Sequence, residues 1–175
     1  MNTSNDKSLS KDSTIYTYRL LKRVHHKFAY LAVLWLLPSI LLLWDLLQGW
    51  PLLLLFCFIG VLLAHTLFIR LYFKMKAGHF PKEWRWSFRL PWFGLVPGSY
   101  LALARMRNLH AQLLWINMAI LCCLYPWCST TILAHLAFVH LWLLVPRLFI
   151  FTSMRKFSSS GYLKINEKDT SCYAQ

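Results

Sequence analysis

Residues 28–47 read FAYLAVLWLLPSILLLWDLL. Nine of these twenty are Leu, and the one charge, Asp45, stands near the end. Twenty residues rise about 30 Å as a helix, which is the thickness of a bilayer's hydrocarbon core. Each Leu favours insertion by roughly 0.5 kcal/mol, and together they outweigh an acid placed away from the membrane centre. Pro38 would break a helix in water. In a bundle, a neighbouring helix can satisfy the carbonyl that proline frees, so a kinked span is expected.

Residues 51–69 form a second block without a charge, reached through Gln48-Gly-Trp-Pro51. Gly and Pro mark a tight turn, and so short a connection makes the two blocks antiparallel neighbours. Residues 108–146 are again uncharged. They are too many for one span and suit two, with Pro126-Trp-Cys-Ser129 as the turn. The third span is expected near 109–125 and the fourth near 129–146. Both are more polar than the first pair, carrying His110, Gln112, Asn117, His135 and His140. A re-entrant hairpin that does not fully cross is the alternative for this pair. The expected fold is an all-α integral membrane protein with four transmembrane helices in two antiparallel hairpins, plus interfacial amphipathic segments.

The composition of the whole chain agrees. Of 175 residues, 58% are hydrophobic and 14% charged, and the net charge is +13. Disordered chains lack such hydrophobicity, and soluble domains carry about 25% charged residues. Of the nineteen Lys and Arg, six fall in 1–27, eight in 70–107 and five in 147–175, with none in either tight turn. With four spans, every cation lies on one side. The positive-inside rule then puts both termini and the middle loop in the cytoplasm, with the cell membrane as the expected location. The basic region before the first block is too long for a cleavable signal, so that block is expected to be retained. Five segments result: a basic lead (1–27), a hairpin (28–69), an aromatic-basic loop (70–107), a second hairpin (108–146) and a basic tail (147–175).

In the lead, Ser13 or Thr14 can cap a helix. Ile15, Tyr18, Leu21, Val24 and Phe28 recur every three to four residues, away from Arg19, Lys22, Arg23 and Lys27. This predicts a basic amphipathic helix, either lying on the inner surface or simply extending the first span. In the middle loop, Trp84, Trp86 and Phe88 alternate with Arg85, Ser87 and Arg89, and Trp92 and Phe93 follow Pro91. Trp prefers the headgroup level and Arg pairs with phosphate there. Trp84, Arg85, Trp86, Arg89 and Trp92 are therefore the expected surface for anionic lipid or a cytoplasmic partner, and no nucleic acid is expected. Arg23-Val-His-His26 is echoed by Arg107-Asn-Leu-His110, and Leu67-Phe-Ile69 by Leu148-Phe-Ile150, a pattern compatible with internal duplication.

Polar groups inside the membrane are the default functional candidates. His65, His110 and His140 are expected at similar depth and converge if the helices pack as a bundle. Imidazole binds transition metals and carries protons, but a neutral His also ties helices together by hydrogen bonds. Cys123 and Cys128 lie near the outer turn, as apolar packers or a disulfide pair. Asp45 is expected to reach interfacial water. No catalytic motif stands out, and the cofactor is unknown. The leading expectation is an accessory, regulatory or assembly subunit acting through lipid and protein contacts. Two others stand beside it. One is an oligomeric transporter or channel subunit for a metal ion or protons. The other is an inner-leaflet lipid-modifying enzyme using His79, His110 and the loop arginines.

Overall fold

The structure is a computed structural model and describes residues 18–81 and 83–174; Ser13, Thr14 and Ile15 lie outside these. Among the described residues four α-helices form: α1 (Phe28–Leu47), α2 (Leu53–Ala77), α3 (Leu103–Leu124) and α4 (Thr130–Ser153). Six strands accompany them: β1 (Arg19–His25), β2 (Trp84–Ser87), β3 (Gly94–Pro97), β4 (Leu101–Ala102), β5 (Gly161–Ile165) and β6 (Asp169–Ala174). The all-α expectation is thereby corrected, because the basic segments outside the helices fold as sheet.

α1 keeps the bounds that its Leu-rich block dictates. The other helices are longer than their apolar blocks. α2 continues two turns past Ile69, through Arg70, Lys74 and Lys76, before Gly78 ends it in the left-handed conformation (φ 72°). There Lys74 and Lys76 sit where the helix dipole favours cations. α4 is capped by Ser129, whose Oγ accepts from the Ile132 amide, and runs beyond Pro146 to Ser153. Three helices, α1, α2 and α4, are long and apolar enough to cross a membrane. α3 carries Arg105 and Arg107 in its first turns and buries His110 and Asn117.

The four-stranded antiparallel sheet has the order β1-β6-β5-β4, and β2 and β3 form a separate antiparallel hairpin. The expected lead helix is instead β1, paired with β6 from Arg19↔Ala174 to His25↔Asp169. A register shift between Leu20 and Lys22 leaves Leu21 as an extra residue. The bulge turns Leu21 and Val24 both onto the core, a three-residue spacing that imitates a helical stripe. The basic tail likewise becomes the β5–β6 hairpin, with Leu163, Ile165 and Cys172 buried.

Strand, two helices and hairpin occur twice in the element order, and β1 and β4 flank the β5–β6 hairpin. One core cluster joins this module to the ends of α2, α3 and α4 through Phe73, Trp92, Met106, Phe151 and Met154. A second lies within the bundle around Leu34, Val61, Val139, Trp142 and Leu143.

Candidate functional site

α4 is the polar spine of the bundle. His135, His140 and Arg147 are all buried on it, spaced by about 7.5 and 10.5 Å of helical rise. Together they engage α1, α2 and α3.

At the turn-side end, His135 Nε2 lies 2.9 Å from Asp45 Oδ1 on α1. Its Nδ1–H donates to the Thr131 carbonyl at 2.7 Å. One proton therefore lies between Nε2 and the carboxyl, and the pair is electrically neutral whichever partner holds it. Neutrality is what lets an acid be buried here. Asp45 is 2% exposed, which corrects the expectation that it reaches interfacial water; its Oδ2 is buried without a hydrogen-bond partner.

Midway, His140 Nδ1 lies 2.8 Å from His65 Nε2 on α2, and His140 Nε2 lies 3.3 Å from the Leu114 carbonyl on α3. A carbonyl only accepts, so His140 carries its proton on Nε2 and accepts from His65 on Nδ1. One imidazole thus joins three helices.

At the module end, the fully buried Arg147 donates from Nε to the Pro91 carbonyl at 3.1 Å and from Nη2 to the Phe93 carbonyl. Its Nη1 meets His110 Nε2 at 3.3 Å, while His110 Nδ1–H donates to the Met106 carbonyl at 2.9 Å. The guanidinium also lies 5.7 Å from the Trp92 ring centroid. Carbonyl dipoles and an indole face stand in for a counter-ion, since among the described residues no carboxylate pairs with Arg147.

Of the three expected metal-ligand candidates, the fold brings His65 and His140 together and turns His110 to Arg147. Among the described residues no group of three or more His, Cys, Asp or Glu is arranged to hold a metal ion. The five cysteines are free thiols.

The expected lipid or partner surface divides. Arg85, Trp86, Phe88 and Arg89 are exposed, with Trp86 and Phe88 stacked at 6.4 Å and Arg89 paired to Glu167 at 2.7 Å. Arg89 holds the Glu167 carboxyl below its ordinary range. Trp84 is half-buried against Phe73 and Phe80. Trp92 is 2% exposed and belongs to the interior. Its indole donates to Thr170 Oγ1 at 2.7 Å, leaving that hydroxyl to donate to His26 Nε2 at 3.0 Å. Burial pushes the His26 imidazole below its ordinary value, with Asp169 opposing that shift.

α1 is thus tied at three heights: His26 to Thr170 just before its start, Leu34 in the middle and Asp45 at the far end. The middle tie is the partner that Pro38 requires. Proline has no N–H, so the Leu34 carbonyl loses its helical donor; the Trp142 indole of α4 supplies one at 2.7 Å.

Compared with protein-family models, characterised proteins and solved structures, the chain matches none.

Proposed function

We propose that this chain is a four-span protein of the cell membrane whose strand module lies on the cytoplasmic side, and that it acts as an accessory, regulatory or assembly subunit through contacts with lipid and protein. The observation that carries this reading is the module itself. Segments from all along the sequence are gathered at the helix ends that bear the Lys and Arg residues. There they display Arg85, Trp86, Phe88 and Arg89 to the outside. Most of the intramembrane polar groups face one another and hold helices together. The loop face is oriented outward.

Support for a fourth crossing comes from α3. Its polar His110 and Asn117 are buried, while Trp115, Ile116 and Ile120 are exposed as on a lipid-facing surface. α3 also starts beside β4, at the same end where α1 starts and α2 and α4 finish. Affinity purification of the full chain from mild detergent tests the function. A stoichiometric protein partner is expected, and recovery of the chain alone at monomer mass would reject the reading. Orientation is tested separately by thiol labelling in a cysteine-free background: a cysteine at Trp86 should react only from inside and one at Trp127 only from outside.

The Asp45–His135 pair favours a second reading, a proton-carrying subunit that works as a homo-oligomer. Proton flux in proteoliposomes that is lost in Asp45→Asn and kept in His79→Ala would support it; flux unchanged by Asp45→Asn, or absent in the wild type, would remove it. Metal flux abolished when His65, His110 and His140 are replaced together would direct the same reading to a metal ion.

A further inference from the structure

Two cavities lie along α1, one beside the strands and one between the helices. The first, about 490 Å³, lies where α1 leaves the strands; His25, Arg89 and Lys168 stand at its polar side, and Leu31, Trp35 and Phe88 at its apolar side. It shares His26, Phe88, Arg89 and Glu167 with a neighbouring pocket of about 270 Å³ that adds Arg85 and Trp86. The second, about 290 Å³, is almost wholly apolar and lies between α1, α2 and α4, with Pro38, Leu42, Leu54, Phe58 and Trp142 among its walls. Trp35 lines both cavities. Phe88 of the first and Phe93 of the second are in edge contact at 5.8 Å.

The cleft exists because α1 is held by a few polar ties rather than by close packing. Trp142 reaches across to the Leu34 carbonyl, and Asp45 reaches His135. Beside these ties the space against α2 and α4 is left open. From Leu31 to Leu42 a helix rises about 16 Å, the hydrocarbon depth of one leaflet. The three fixed cations Arg85, Arg89 and Lys168 face one carboxylate, Glu167, so the mouth has an excess of positive charge.

We propose that this composite groove holds one anionic phospholipid of the leaflet next to the module. Its phosphate lies among Arg89, Lys168 and His25, and one acyl chain passes along Trp35 into the cleft beside Pro38. A charged, aromatic-walled mouth that shares the Trp35 wall with an apolar slot of leaflet depth fits an amphiphile with a phosphate head better than either a soluble anion or a hydrocarbon alone. The proposal rests on α1 crossing the bilayer with its start at the module side. Its test is made in detergent, where orientation plays no part, so the two can fail separately.

The full chain, purified in mild detergent, is titrated with phosphatidylglycerol or phosphatidylcholine of identical long chains and examined by native mass spectrometry. One phosphatidylglycerol per chain is expected, held more tightly than phosphatidylcholine. Arg89→Gln and Lys168→Gln should each reduce that preference by about fivefold. Leu42→Trp, or the milder Leu42→Phe, should weaken long-chain phosphatidylglycerol and leave its dihexanoyl analogue unchanged. Equal retention of the two wild-type lipids would overturn the proposal without any variant. So would equal affinity for dihexanoyl and long-chain phosphatidylglycerol. A lipid-free mass of two chains would assign the groove to a second copy and overturn it as well.

Discussion

The hairpin of α1 and α2 and the hairpin of α3 and α4 place their apolar and polar side chains in opposite ways. In their most apolar stretches, 6% of α1 and 22% of α2 is buried, against 44% of α4. Nine of the twenty residues of α1 are exposed Leu, Trp or Ile, whereas α4 buries two His and one Arg. In water the most hydrophobic helix would form the core. In lipid, apolar side chains gain little by leaving the hydrocarbon, and helices associate through packing and interhelical hydrogen bonds. The polar helix therefore sits at the centre, and the apolar one is fastened to it at intervals.

The sharpest way to break this contrast is at Arg147. Arg147→Leu leaves the Pro91 and Phe93 carbonyls and His110 without their donor. It should cost at least about 3 kcal/mol, since hydrogen bonds to charged groups contribute roughly 1.5–3 kcal/mol each. Unfolding by denaturing detergent would measure it, and Arg147→Lys should recover only part of the loss. Next comes the far end of α1. Asp45→Ala strands a buried imidazole and should cost about 1–3 kcal/mol. Asp45→Asn should cost much less, because its amide donates to the Nε2 of a neutral His135. The same assay distinguishes them, and equal losses would remove the shared-proton account.

The middle tie allows a cleaner comparison. Trp142→Phe should cost about 1 kcal/mol by leaving the Leu34 carbonyl unsatisfied. In a Pro38→Ala background residue 38 again has an N–H for that carbonyl, so Trp142→Phe should then be nearly neutral. A double-mutant cycle without coupling would separate the indole from the proline. The smallest effect is the tie at the start of α1. The folded His26 has a pKa below 6.5. Acidification through 6.5 therefore protonates the unfolded chain first and lowers stability, with no effect well above that pH. Burial raises the Asp169 carboxyl, but Ser171, Asn166 and Arg23 outweigh it and hold it low. Its contribution is present above 3.8 and disappears only at still lower pH. The protection of the β1 amides, corrected for the intrinsic exchange rate at each pH, should thus fall between about pH 7 and 5, and His26→Asn should remove that dependence.

Hydropathy locates the hydrocarbon rather than the helix ends. That is why α1 is legible to the residue, while α2 and α4 continue beyond 69 and 146 through interfacial residues. The strands were hidden for different reasons. In β1 the bulge at Leu21 disguises a two-residue period as a helical one. In β2 the alternation of Trp84, Arg85, Trp86 and Ser87 is a strand signal, but the same residues also describe a membrane interface. In Gly161–Ile165 a two-residue alternation followed by Asn166-Glu-Lys before Asp169 was readable as a hairpin. The meeting of His65 and His140 follows from similar depth on packed helices. Asp45 and His135 also lie at similar depth, but they are ninety residues apart and nothing local links them. Arg147 borders an apolar block at the start of the basic tail, and only the fold shows its burial.

The pairing of β1 with β6 joins segments about 150 residues apart, from Arg19 to Ala174. Arg19 has emerged roughly 7–30 s before Ala174 can be joined to it, at about 5–20 residues translated per second. In the proposed four-span topology all four helices are threaded during that wait, and only a chain whose helices have returned to the same side can close the sheet, so that closure would act as a latch on correct insertion. In that topology a molecule with one helix left out would leave both edges of β1 unpaired, where quality-control proteases and chaperones can recognise them.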